Sequence, residues 1–167
     1  MVVIGLGNEL MADDGVGVHA VRRLGRILPA NIPCVEIGTA TLKAQTLCEE
    51  ADLVVAIDAV QAGGRPGSVY VFDPTDAVLP GADSLHDLSL AGLMRMIPPD
   101  QRPRALVVGV EPARLDYALS LSPPVEAALP DVIETVCQLV ASGGQVTPSL
   151  PTTGRRVRDI AHIEEIP

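Results

Sequence analysis

Short, uninterrupted runs of apolar residues recur along the chain and predict β-strands. Four of these runs lack the strict alternation of a half-exposed strand: residues 2–5, 34–37, 53–58 and 105–110. Such runs are typical of strands that are covered on both faces, as in a parallel sheet. A weaker run at residues 68–72 predicts a fifth strand at an edge.

Stripes of apolar residues at helical spacing separate the predicted strands. The first stripe covers residues 16–28 and follows Asp13 and Asp14, a position where acidic residues favour a helix N-terminus. Three more stripes follow, at residues 42–50, 85–96 and 125–140. Pro130 lies inside the last stripe and predicts a kink or a split into two helices. Because strands and helices alternate, we predict an α/β fold with a mostly parallel sheet and helices on both faces.

Length and composition indicate one principal domain. The chain has 167 residues, of which 47% are hydrophobic, and a chain of this length can bury a core without disulfides or a structural metal. We assign residues 1–142 to the α/β domain. Residues 143–167 are predicted to form a linker rich in Gly, Pro, Ser and Thr, followed by a charged tail. The three cysteines are widely spaced, with no C-x-x-C, and predict reduced thiols.

The charge balance and hydropathy exclude several classes of function. Twelve basic residues against 21 acidic ones give a net charge of −9, and tryptophan is absent, so we expect no nucleic-acid partner. No apolar run approaches the roughly 20 residues of a membrane span, and no basic segment precedes the first apolar residues. We therefore expect no membrane partner and a cytoplasmic location.

Acidic residues lie at or beyond the ends of three predicted strands, where ligands gather in parallel α/β sheets. Asp13 and Asp14 follow the first strand, Asp58 ends the third, and Glu111 follows the last. His86 lies near the start of a predicted helix. Two carboxylates and an imidazole, from Asp14, Asp58 and His86, could hold nickel, zinc, iron or manganese with coordination positions left open. Their wide separation leaves helix capping, turn formation and packing open as alternative roles.

The glycines after the first strand suggest a weaker hypothesis, a dinucleotide site. Gly5 and Gly7 match the first two glycines of G-x-G-x-x-G, but Leu10 occupies the third position. The acidic residues that follow would also repel a pyrophosphate. We therefore expect no bound dinucleotide.

Several motifs together resemble the hydrogenase maturation endopeptidases. The likeness begins with Gly-Leu-Gly-Asn-Glu-Leu at residues 5–10 and Asp-Asp-Gly-Val-Gly at residues 13–17. It continues in order, and with matching spacing, over about residues 1–141. The further matching segments are residues 53–59, residues 66–69, His86, residues 109–112 and residues 121–126.

This resemblance implies a three-layer α/β/α domain with a twisted, mostly parallel five-stranded sheet. It also implies an aspartyl-type endopeptidase that removes the C-terminal extension of a nickel-iron hydrogenase large-subunit precursor. Asp14, Asp58 and His86 fall on the family's metal-contacting trio, with Asp14 and Asp58 as the candidate catalytic residues. The nickel belongs to the substrate, so no tightly bound cofactor is expected, and the enzyme is expected to be a monomer.

The chain departs from the family pattern after the second predicted strand. Many relatives carry Asp-Gly-Gly-Thr-x-Gly there, whereas residues 36–41 read Glu-Ile-Gly-Thr-Ala-Thr. Two glycines are thus replaced, and Ile and Thr resist the positive φ that glycine allows. An alternative function stays open, a non-catalytic nickel-sensing or chaperone-like binder of the precursor.

Overall fold

The structure, a computed structural model, describes residues 1–74 and 90–145, and five strands in those residues form one sheet. They are β1 (Val2–Leu6), β2 (Cys34–Gly38), β3 (Leu53–Ala59), β4 (Val69–Phe72) and β5 (Arg104–Val110). The spatial order is β2-β1-β3-β5-β4. The first four strands in that order are parallel, and β4 runs antiparallel to β5 at the edge. The predicted five-stranded, mostly parallel sheet is confirmed.

Helices cover both faces of the sheet and complete three layers. They are α1 (Val16–Leu24), α2 (Gln45–Glu49), α3 (Leu90–Met96) and α4 (Pro123–Ala141), with short 3-10 helices at Ala12–Gly15 and Thr41–Ala44. Alternate residues of β1 face opposite cores, as expected for a strand covered on both sides. Val3 packs in the core that contains α1 and α4, whereas Val2 and Ile4 pack in the core that contains α2 and α3.

The last helix differs from its prediction at Pro130. Helix α4 runs unbroken through this residue, so the predicted split into two helices is wrong. Pro130 lies on the exposed face, while Leu129 and Val132 on either side are fully buried. Burial of that apolar stripe stabilises the helix even though proline cannot donate its backbone hydrogen bond.

Two other helix predictions were too long, and two regions are untested. The first helix ends at Leu24, and the segment predicted at residues 42–50 forms a 3-10 turn before the short α2. Helix α3 begins at Leu90, and residues 85–89 of its predicted span lie outside the described residues. The assignment of residues 143–167 to a linker and tail stays a prediction.

The topology creates a crevice between β1 and β3. The chain continues from β1 to a neighbour on one side and from β3 to neighbours on the other, which makes this the topological switch point of the sheet. Gly17, in the first turn of α1, packs directly against both strand ends. A Cβ atom on Gly17 would lie 2.2 Å from the carbonyl oxygen of Ile57 and 2.5 Å from that of Leu6. Only glycine lets the helix start this close to the crevice.

The contact at Gly17 predicts a position-specific loss of stability. Gly17→Ala should lower the free energy of unfolding by about 2–3 kcal/mol, because the strand backbones cannot move away from the new methyl group. Gly25→Ala is the matched control: it lies just after α1, has a φ of −62°, and a Cβ there would lie 3.5 Å or more from other atoms. Urea unfolding of both variants tests this, and equal losses would contradict the close packing at Gly17.

Candidate active site

Asp14 lies in the 3-10 turn that connects the loop after β1 to α1. Its side-chain Oδ2 accepts a hydrogen bond from the backbone N–H of Asn8 at 2.7 Å. Gly7 allows this tight loop: its φ is 100°, and a Cβ atom there would lie 1.7 Å from the carbonyl oxygen of Asp14. The loop therefore holds the Asp14 carboxylate, which is partly buried, beyond the end of β1.

Asp58 occupies the second-last position of β3, on the other side of the crevice. Its Oδ1 accepts a hydrogen bond from the backbone N–H of Ala59 at 2.9 Å. Burial, followed by the negative charge of Asp14, raises the pKa of the Asp58 carboxyl to about 7, against the opposing effect of the Ala59 N–H. The structure thus brings two of the three predicted site residues into electrostatic contact. Such a pair favours a shared proton or a bound cation.

Asp13 has a different role from its neighbour. It is fully buried, and its carboxylate accepts hydrogen bonds from four donors in or before the start of α4. These are the backbone N–H groups of Ala113 at 2.8 Å, Arg114 at 3.0 Å and Ser122 at 2.6 Å, and the Ser122 hydroxyl at 2.8 Å. Burial alone would raise the pKa of Asp13, but these hydrogen bonds, led by those from Ser122, lower it.

Neither acidic residue caps α1, so the capping alternative is wrong. Gly15 is the N-cap of this helix and makes no side-chain capping hydrogen bond. Asp13 binds the segment before α4, and Asp14 binds Asn8. The two acidic residues lie in the turn that precedes the helix. Asp13 anchors this turn, and Asp14 forms the carboxylate pair with Asp58.

A strained residue shows how firmly this turn is held. Among the described residues, Ala12 is the only non-glycine with a positive φ, at 48°. Its N–H donates to the carbonyl oxygen of Ala118 at 2.9 Å, and the N–H of Ala118 donates to that of Leu10 at 3.1 Å. Strain of this kind persists only where surrounding contacts fix the backbone. The position of Asp14 therefore depends on residues about one hundred positions away, as the separation of 100 between Asp13 and Ala113 illustrates.

Glu111, directly after β5, fixes the segment that follows β3. Its buried carboxylate accepts hydrogen bonds from the Tyr70 hydroxyl at 3.0 Å and from the N–H groups of Ala62 at 2.9 Å and Gly64 at 3.1 Å. Burial, followed by the hydrogen bond to Glu111, raises the pKa of Tyr70 to about 12. Since Ala113 is only two residues further, one short segment after β5 anchors both loops that flank the carboxylate pair.

The third predicted ligand, His86, lies in residues 75–89, outside the described part of the chain. Within residues 1–74 and 90–145, no group of three His, Cys, Asp or Glu side chains is arranged to hold a metal. The described residues therefore supply two carboxylates of the predicted trio, and the place of the imidazole stays a prediction.

Comparison with known proteins assigns the chain to a family. The family model of the hydrogenase maturation proteases matches residues 18–139. The chain belongs to this family. This maturation protease is therefore a hydrolase of peptide bonds, and the predicted family resemblance is confirmed.

Relatives and solved structures agree over most of the chain. The hydrogenase expression/formation protein HupD of Rhodobacter capsulatus is 35% identical over 160 residues, covering 88% of this chain and 74% of the relative. HupD of Bradyrhizobium diazoefficiens is 32% identical over 178 aligned positions, covering 99% and 88%. The structure of the hydrogenase maturating endopeptidase HybD from Escherichia coli has a TM-score of 0.72 at 27% identity, covering 85% and 93%. These matches confirm the α/β fold.

Two residues of this maturation protease organise the site although no local sequence pattern identifies their role. By sequence, Asp13 is a possible helix cap and Glu111 is an acidic residue that follows a strand. Their positions at strand ends indicate a possible role, but their hydrogen-bond donors lie on distant segments that no local pattern connects.

No helix in the described part of the chain is long and apolar enough to span a membrane.

Asp58 should make the stability of the protein depend on pH. Its folded-state pKa of about 7 lies above the ordinary value of 3.8, so the folded protein binds an extra proton between about pH 4 and pH 7. The free energy of unfolding of the wild type, minus that of Asp58→Asn, should therefore fall as the pH rises through this range, by at most about 1.4 kcal/mol per pH unit. Urea unfolding at several pH values measures the difference. A difference that rises with pH would contradict the raised pKa.

Asp13→Asn should destabilise the fold although it keeps the shape of the side chain. An amide cannot accept from all four donors, and leaving buried donors unpaired should lower the free energy of unfolding by about 3 kcal/mol. Asp116→Asn removes the same charge from a side chain that is 68% exposed and should change stability by less than about 0.5 kcal/mol. Equal effects of the two substitutions in thermal or urea unfolding would refute the anchoring role of Asp13.

Proposed function

We propose that the protein removes the C-terminal extension of a nickel-loaded precursor of a nickel-iron hydrogenase large subunit. The observation that carries this proposal is the coupled pair of Asp14 and Asp58 at the switch point of the sheet. Family membership supplies the type of reaction, peptide-bond hydrolysis in hydrogenase maturation. The pair supplies a place where a cation of the substrate can be recognised.

The charge of the pair supports recognition of a metal ion. Within the described residues, no basic side chain forms an ion pair with Asp14 or Asp58, and the repulsion between the carboxylates is opposed there by the backbone N–H groups of Asn8 and Ala59. A divalent ion relieves it, and nickel accepts both oxygen and imidazole nitrogen ligands. In this proposal His86 supplies the nitrogen.

Nickel arrives with the substrate in this scheme. Three protein ligands bind an ion weakly when its other coordination positions are open, and the ligands of the precursor complete the set. The protease then engages a loaded precursor more tightly than an empty one, and the difference in affinity provides the selectivity. Cleavage is thereby confined to precursors that already hold their metal.

We assign the role of general base to Asp58. The charge of the bound nickel lowers the pKa of this carboxyl below the value of about 7 that it has in the metal-free protein, so Asp58 is ionised when the loaded precursor binds. It can then accept a proton from the attacking water and return it to the leaving amine. Water adds to the scissile carbonyl carbon, the C–N bond breaks, and the amine leaves with the returned proton. Asp14 contributes the second carboxylate ligand, and in the metal-free protein its charge adds to burial in raising the pKa of Asp58.

The same proposal places the protein in the cytoplasm as a monomer. All three cysteines, Cys34, Cys48 and Cys137, are free. Burial raises the pKa of each thiol, which keeps all three in the protonated and less reactive form. Free thiols of this kind are typical of proteins in a reducing compartment.

Intact-mass measurement of the precursor tests the function. Purified protein is incubated with a nickel-loaded large-subunit precursor and, in parallel, with the same precursor free of nickel. We expect loss of a single C-terminal peptide from the loaded sample only. Asp14→Asn, Asp58→Asn and His86→Ala should each slow this processing by about 100-fold or more, as expected for groups that bind or activate the reacting centre, whereas Asp116→Asn should process normally.

Three results would contradict parts of the proposal. No cleavage of a loaded precursor that another maturation protease does process would favour the nickel-sensing binder. Cleavage of loaded and nickel-free precursor at the same rate would discard metal recognition and keep the protease. Normal processing by any two of the three variants would refute the trio.

A further inference from the structure

Arg22 on α1 joins two glutamates from different parts of the fold. Its Nε and Nη2 donate to the two carboxylate oxygens of Glu36 on β2 at 2.9 and 2.8 Å. Its Nη1 and Nη2 also donate to the two oxygens of Glu9 in the loop after β1, the second of these at 2.8 Å. The hydrogen bonds, first to Glu36 and then to Glu9, raise the pKa of Arg22. One planar guanidinium thus fixes two carboxylates.

The two glutamates belong to opposite walls of a cleft of about 310 Å³. One wall is formed by residues 7–10 and the other by residues 36–39, with Val18 of α1 between them. Glu9 is part of the first wall and Glu36 of the second. A single exposed ion pair contributes little, but a forked guanidinium with four hydrogen bonds has a defined geometry. Arg22 therefore joins the side chains of the two walls, whose backbones are also linked by the hydrogen bond from the Gly7 N–H to the Gly38 carbonyl oxygen at 3.2 Å.

The first wall of the cleft is the same loop that holds Asp14. Asn8, which precedes Glu9, donates its N–H to the Asp14 carboxylate at 2.7 Å, and its side-chain oxygen accepts the N–H of Leu10 at 3.0 Å. Glu9 is therefore bonded directly to the residue whose N–H binds the Asp14 carboxylate. The cleft and the carboxylate pair are coupled through two adjacent residues.

We propose that Arg22 is a positioning residue of the processing site. Through Glu9 and Glu36 it holds the walls of the cleft, and the Asn8 N–H on Asp14, in the geometry that receives an extended segment of the precursor. This inference rests on the proposed function. It assigns a role to a residue whose side chain touches neither of the two aspartates.

The chain provides a matched control on the same helix. Arg23 is the next residue, its side chain has the same 44% exposure as that of Arg22, and it forms an ion pair with Glu126 of α4 at 2.7 Å. Arg22→Met and Arg23→Met therefore remove the same charge from the same helix with the same exposure. They differ in whether the lost ion pairs border the cleft.

Steady-state kinetics on loaded precursor distinguish positioning from general stability. Arg22→Met should raise KM about tenfold and change kcat less than about twofold, because the loss falls on substrate binding. Arg22→Lys, which keeps the charge and part of the hydrogen bonding, should recover part of this loss. Glu9→Gln added to Arg22→Met should cause little further change, since the pair is already broken. Arg23→Met should stay within about twofold of the wild type. Equal KM values for Arg22→Met and Arg23→Met would overturn the proposal.

Hydrogen exchange of the Asn8 amide tests, without any substrate, whether the hydrogen bonds of Arg22 to Glu9 and Glu36 hold the loop in place. We expect this amide to exchange about tenfold faster in Arg22→Met and at the wild-type rate in Arg23→Met, with the two variants equally stable to urea. An unchanged Asn8 exchange rate in Arg22→Met would overturn the proposal. If the wild type fails to process a loaded precursor, the proposed function fails, and this exchange experiment still decides whether Arg22 positions the loop.

Discussion

Two carboxylates of like charge lie close together at the carboxyl ends of β1 and β3, and much of the surrounding structure holds them there. The charge of Asp14 adds to burial in raising the pKa of Asp58 to about 7, which means that the fold tolerates an electrostatic penalty at this point. The repulsion is relieved by a proton in the free protein and, in the proposed function, by the nickel of the substrate.

Three separate anchors keep the pair in place, and each of them joins segments that are far apart in the sequence. Gly17 lets α1 start against the backbone of β1 and β3, Asp13 fastens the turn of Asp14 to the segment before α4, and Glu111 fastens the loop after Asp58. Fixed groups lose little freedom when the substrate binds and need little rearrangement during the reaction. The positive φ of Ala12 is consistent with this interpretation, because strained backbone often marks a site that is held for function.

The sheet is well predicted from the sequence because strands buried on both faces consist of continuous apolar runs, as in residues 53–58. Asp14 and Asp58 could be identified as candidates because Asp58 ends such a run and Asp14 lies beyond the end of another, and parallel strands end at a common edge. The hydrogen bonds that hold the turn of Asp14 in place could not be predicted, since the donors to Asp13 lie 100 to 109 residues away. Pro130 misled the prediction because the apolar stripe on either side of it, buried in the folded protein, outweighs the missing hydrogen bond. The hydrogen bonds of Arg22 to Glu9 and Glu36 could not be predicted either, because they depend on which strand packs beside α1.

The most direct test of metal recognition by the carboxylate pair is X-ray absorption at the nickel edge of a loaded precursor that resists cleavage, alone and in complex with this protein. We expect the complex to add oxygen ligands to the first coordination shell of the nickel, and Asp58→Asn to remove one of them while the complex still forms. An identical nickel spectrum with and without the protein would contradict it, because the carboxylate pair would then not contact the metal.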